Sequence, residues 1–206
     1  MTDTIADTLI ELASSHEGDF RSAIRNAVRA LWTNEWSLSD FLEQMSDAID
    51  RYYEFAWREG AAEAGILPEE RTDEEQIMVY RLMSEALPHI NNYAMTIIEK
   101  GKENSGALGP LMDRAELWVK RYAEVRDAAK ITAGKNTKWL WVRGATEKSC
   151  TDCLTYDGRI YRGSVWGNIR PKLRSLGCKG YQCDCEFMPT TAPAWPGRPP
   201  AITGKP

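Results

Sequence analysis

At 206 residues, with 43% apolar content, eight Trp and a net charge of −4, the chain has material for a real core, and global disorder is excluded. No apolar run approaches the roughly 18 residues of a helical membrane span, so no membrane partner is expected. Charge is divided unevenly: residues 1–129 hold 13 Lys+Arg against 25 Asp+Glu, a net of −12, and residues 130–206 hold 13 against 5, a net of +8. Such halves either present separate surfaces to different partners or attract one another, and both readings stand.

Residues 1–129 read as a helical assembly domain. Ile5, Leu9 and Ala13 share one face of a short opening helix. After Gly18-Asp19, a second helix places Phe20, Ile24, Ala27, Val28 and Leu31 at helical spacing. Trp32 and Trp36 bracket the next connection. Ser37 or Ser39 then caps a long helix reaching about Ala64, with Phe41, Met45, Ile49, Tyr52 and Ala56 in its stripe and Gly65 as its C-terminal cap. Thr72-Asp73-Glu74-Glu75 has the form of a capping box and opens a further helix, in which Pro88 is a candidate kink. A Gly-bearing loop over 101–109 precedes a last helix with Leu117, Trp118, Tyr122, Val125 and Ala129. The aromatic and Met stripes are read as core, and His16 and His89 as packing or surface residues.

The pattern changes near Gly134. Lys138-Trp139-Leu140-Trp141-Val142-Arg143 has the profile of a strand, and Asp157-Gly158 before Arg159-Ile160-Tyr161 is a two-residue hairpin signal. Residues 130–188 therefore form a small α+β module of a size at which burial alone is marginal and a metal staple is useful. Residues 189–206 are too rich in proline for helix or sheet and should be extended. They are either a flexible tail or an arm laid along a neighbouring subunit with Trp195 as anchor. The fold class is α+β: a mostly helical N-terminal region, a small zinc-stapled module and an extended tail.

All five cysteines lie between Cys150 and Cys185, as C-T-D-C and later C-K-G-Y-Q-C-D-C. A C-x2-C pair folds into a knuckle whose thiolates point at one tetrahedral ion, and a second cluster can complete the set. The pattern predicts a structural zinc site drawn from Cys150, Cys153, Cys178, Cys183 and Cys185. A disulfide-stapled loop or free thiols are the alternative. Disulfides need an oxidising compartment, whereas the opening Met1-Thr2-Asp3-Thr4 is acidic and carries no secretory signal, so reducing cytosol is expected. Cys150 and Cys153 form the expected knuckle. Cys183 with Cys185, or Cys178 with either of them, competes for the second pair. A closed site of four thiolates leaves no position for substrate.

Residues for catalysis are not apparent. Both histidines lie far upstream of the cysteines, unlike those of an HNH-type nuclease. The chain has no P-loop, G-x-G-x-x-G, H-E-x-x-H, G-x-S-x-G or H-x-E…P-C-x-x-C signature. Paired carboxylates such as Glu69-Glu70 read as solvated faces and caps. Neither catalysis nor a small-molecule substrate is expected.

The stretch from Trp139-Leu140-Trp141-Val142-Arg143-Gly144 through Cys150-Thr151-Asp152-Cys153 and Tyr156-Asp157-Gly158-Arg159 resembles the signature region of phage head-morphogenesis proteins, the minor capsid proteins of the MuF-like group. Trp166, Arg170-Pro171, Leu176 and the run from Cys178 to Cys185 continue it, and Leu117-Trp118-Val119-Lys120-Arg121-Tyr122 resembles the helix that leads in. The likeness is specific over about 111–188 and only general before it. Many members have a histidine ahead of the final C-x-C, where this chain has Cys178, so the ligand set stays open. The resemblance implies a low-copy head component that meets portal protein, capsid or scaffold proteins and packaged DNA, in the virion head after assembly in host cytoplasm.

A second reading rests on the basic rear half: a zinc-dependent nucleic-acid-binding module using Arg159, Arg162, Arg170, Lys172, Arg174 and Lys179 beside Tyr156, Tyr161 and Trp166. A metal-dependent enzyme is third and needs an open, water-bearing zinc.

Overall fold

A computed structural model describes residues 3–101, 105–145, 149–173, 175–178 and 183–205, with the backbone alone for 3–15 and 68. Among these residues the fold is α+β, with six α-helices and a three-stranded antiparallel sheet. No described helix is long and apolar enough to cross a membrane.

Helix α1 (Asp3–Trp32) runs unbroken where two helices are expected from the sequence. One interior glycine costs a helix only about 1 kcal/mol against alanine. That is too little for Gly18 to stop a helix whose Phe20, Ile24, Ala27, Val28 and Leu31 are all buried. The stop comes instead at Asn34 (φ 61), where the Asn34 amide donates to the Leu31 carbonyl at 3.2 Å and the Glu35 amide to Ala30 at 2.9 Å.

Helix α2 (Leu38–Glu63) is capped by Ser37 and not by Ser39. The Asp40 amide donates to Ser37 Oγ at 3.2 Å, and the Ser37 amide returns a bond to Asp40 Oδ2 at 2.9 Å. Its end follows the expectation: Gly65 has φ +80, and the Ile66 amide reaches back to the Ala61 carbonyl at 3.0 Å. After a single 3-10 turn (Pro68–Glu70), the capping box of α3 (Asp73–Glu99) forms as read, with Thr72 Oγ1 donating to Glu75 Oε1 at 3.0 Å. The helix continues through Pro88, which lies on an exposed side. Helix α4 covers Leu108–Ala133.

The chain divides into two compact units, Met1–Ala56 with Ile77–Tyr122, and Trp57–Gln76 with Ala123–Pro206. The second therefore holds residues 57–76 and 123–129 in addition to the module and tail marked out in the sequence. In the first unit, Phe20 packs its ring against Tyr53 and Tyr122, Phe41 against Tyr93, and Glu116 pairs with both Arg21 and Arg25.

In the second unit the sheet has the order β2-β1-β3, with β1 Lys138–Val142, β2 Ile160–Arg162 and β3 Glu186–Pro189. Alternation along β1 turns Trp139 and Trp141 inward, in register with Tyr161 on β2 and Phe187 on β3. Trp166, closing the short helix α6 (Gly163–Trp166), packs against Trp141 at 5.6 Å and donates its indole N–H to the Trp139 carbonyl at 3.1 Å. Each such ring removes about 150–250 Å² from water, worth up to about 4–6 kcal/mol. This aromatic core is the wall against which the cysteines stand.

The Pro-rich tail is extended, as expected, but it lies along its own module. The Trp195 amide donates to the Ile160 carbonyl at 2.8 Å, the Arg159 guanidinium stacks over the Trp195 ring at 4.9 Å, and Tyr156 Oη donates to the Pro200 carbonyl at 2.8 Å. A free tail does not describe these contacts.

Candidate metal centre

The knuckle begins with Cys150, whose extended backbone (φ −69, ψ 159) and side chain cap helix α5 (Thr151–Tyr156); the Cys153 amide donates to Cys150 Sγ at 3.4 Å. A hairpin is expected here, and the structure corrects it. Gly158 does take φ +74, but with Asp157 at φ −52 and ψ 128 the turn is type II and not the primed type of a two-residue hairpin, and the segment before it is a helix. A capping thiol at Cys150 and an acidic residue, Asp152, in the first turn favour a helix start that the hairpin signal does not weigh.

The five sulfurs converge. Those of Cys150, Cys153 and Cys178 lie within 4.8 Å of one another, and so do those of Cys153, Cys183 and Cys185. Cys153 belongs to both triads, and four of the five residues are buried. Cys153 Sγ and Cys183 Sγ are 3.8 Å apart. A tetrahedral ion with metal–sulfur bonds of about 2.3 Å separates its ligands by about 3.8 Å, whereas a disulfide needs about 2.05 Å. The thiols are free of disulfides, and the cluster is compatible with a bound metal.

Backbone polar groups add to this: that of Lys172, a residue with φ +61, favours the charged form of Cys183, and that of Gly144 the charged form of Cys185. A Cβ on Gly144 would lie 2.5 Å from the Asp184 backbone, so only glycine lets this strand end come close enough. Hydrogen bonds from Cys153, then Cys178 and Cys185, hold the Cys183 thiol well below its ordinary range. The same shared protons, with Cys178 first, push Cys153 upward.

Two groups behind the thiols fix the site. Asp152 is buried, and its carboxylate accepts from the Gly177 amide (3.1 Å), the Thr203 amide and hydroxyl (both 2.7 Å) and the Gly204 amide (3.0 Å). Burial opposes its charge, but these bonds outweigh burial and hold the carboxyl below its ordinary range. Lys172 donates to the Cys185 carbonyl and pairs with Asp127 at 3.3 Å. Burial opposes this charge too, yet Asp127 and then Cys183 keep the ammonium above the usual lysine range. Asp127 also faces Lys130, which reaches Glu63 at 2.7 Å and the Phe187 carbonyl at 3.2 Å.

All five expected cysteines are therefore brought together. Of the six basic residues read as nucleic-acid contacts, four are described, and two of these four are turned inward. Arg170 is buried against Glu124 at 3.2 Å and Lys172 is taken by Asp127, so these two charges are used internally and are corrected from surface contacts to internal ion pairs. Arg159 stacks on Trp195, Arg162 is exposed with a bond to the Asn136 carbonyl, and Arg174 and Lys179 lie outside the described residues. Sequence reasoning missed Asp152, Asp127 and the backbone groups of Gly144 and Lys172; only the placement of Asp152 inside C-T-D-C was available as a signal.

No protein-family model matches this chain, and neither a curated protein nor a solved structure matches it.

Proposed function

We propose that this chain is a non-catalytic component of a phage or prophage head, acting in head assembly and in association with portal protein and packaged DNA, and that its cysteine module is held by structural zinc. One observation carries this reading. The residues that resemble head-morphogenesis proteins, Trp139, Trp141, Cys150, Cys153, Tyr156, Trp166, Cys183 and Cys185, form a single buried cluster. They are thus the parts of one structural unit, which supports treating the resemblance as a shared module. Thiolates are soft ligands that suit zinc, and four of them fill a tetrahedral ion and leave no place for a substrate. Zinc held there would cross-link α5 to the segment entering β3, with an apparent contribution of about 10–16 kcal/mol.

Quantitative mass spectrometry on purified particles from the source phage or induced prophage tests the proposal. A few copies per head, varying with portal content, are expected. Absence from both proheads and virions would overturn it. The nucleic-acid reading has less support, since Arg170 and Lys172 are neutralised within the second unit. A chain that fails to shift DNA at low salt, where phosphate contacts are strongest, would remove it.

A further inference from the structure

Helix α3 has two apolar faces. Val79, Leu82, Ala86, Ile90, Tyr93 and Ile97 are buried on one. Turned about 140° from it, at 100° per residue, lies a second row. Ile77, Tyr80, Leu87, Met95 and Ile98 stand there with exposures of 68%, 58%, 44%, 52% and 41%. Ser84 and Asn91 complete the row, so it carries no charge over about 32 Å of helix. Arg81, Glu85 and Glu99 keep to a third side. An amphipathic helix needs only one apolar stripe for its own core, and a contiguous second one marks an interaction surface.

The row is symmetric in residue type about the Leu87–Pro88 bond. Ile77 mirrors Ile98, Tyr80 mirrors Met95, and Ser84 mirrors Asn91. A two-fold interface between identical copies requires such self-complementarity. An antiparallel pairing sets apolar side chains on apolar ones and each Ser84 hydroxyl beside the partner's Asn91. We propose that two copies of this chain associate through this row, α3 against α3 in antiparallel orientation. A row about 32 Å long and about 10 Å wide covers about 320 Å² per copy, well below the roughly 800 Å² of a stable interface. The pairing is therefore weak and concentration-dependent, suited to copies gathered at one place. It does not depend on the metal or on the head assignment.

Sedimentation velocity of the full chain between about 5 and 500 µM is the test, a range chosen for micromolar-to-millimolar dissociation constants. The wild type should move from monomer to dimer across it. Tyr80→Glu should weaken pairing at least about tenfold, as expected for loss of a central aromatic contact. Adding Met95→Lys to that variant should restore the dimer, because the new carboxylate and ammonium meet across the interface. Within one chain the two positions are about 22 Å apart along the helix and cannot pair. Both positions are exposed, so far-ultraviolet circular dichroism should stay unchanged. A wild type that remains monomeric throughout, a dimer indifferent to Tyr80→Glu, or a folded double variant that fails to recover would each overturn the proposal. A chain monomeric alone that shifts only with added portal protein would assign the row to that partner and overturn the pairing.

Discussion

Asp152 ties the cysteine knuckle to the end of the chain, and its charge makes that tie dependent on acid. All of its partners are donors, so Asp152→Asn turns an amide N–H toward at least one of them. The loss should be about 2–3 kcal/mol, seen as faster proteolysis within 190–205 and a changed Trp195 emission. The folded carboxyl titrates below its ordinary value of 3.8, so its contribution is complete at neutral pH and lost as pH falls through the folded value. Tail release should therefore track acidification in the wild type, and Asp152→Asn should show no such titration. Among the thiols, Cys153 is common to both triads. Cys153→Ser should abolish tight metal retention in a competitive chelator assay. Cys150→Ser and Cys178→Ser should each do less, because either residue leaves the other within reach of Cys153.

Helices expose how far local pattern carries. The same substitution should act oppositely at two glycines. Gly18 in α1 has no atom within 4 Å of an added Cβ, so Gly18→Ala should stabilise by about 0.5–1 kcal/mol. Gly60 in α2 would place its Cβ 2.2 Å from the Arg126 carbonyl oxygen, and relieving that overlap should cost about 2 kcal/mol or more, outweighing the helix gain. Thermal unfolding followed by circular dichroism distinguishes the two signs. Caps at Ser37 and Thr72, the turn at Gly65 and the strand at Lys138–Val142 were legible because each is decided by a few neighbouring residues. The break expected at Gly18 and the hairpin expected at Asp157-Gly158 failed where a longer buried stripe or a capping thiol outweighed a local signal. Arg170 and Lys172 were misread for another reason: their partners Glu124 and Asp127 are more than 40 residues away, and charge in a sequence does not show whether it is buried.

For the whole molecule, the convergence of five thiols could be expected from the sequence, but the docking of the tail could not, because its bonds are mostly to backbone groups. The first unit contains no cysteine and has its own aromatic core, whereas the buried thiols form part of the core of the second. Stripping metal with a strong chelator should therefore abolish the near-ultraviolet signal of Trp139, Trp141 and Trp166 and free the tail, while most helical signal survives. The most direct measurement is native mass spectrometry of the full chain, purified without chelator and paired with its near-ultraviolet spectrum. One zinc ion per folded chain, lost together with the tryptophan signal, is the predicted result. A chain that is metal-free with its tryptophan signal intact would contradict the metal-held module.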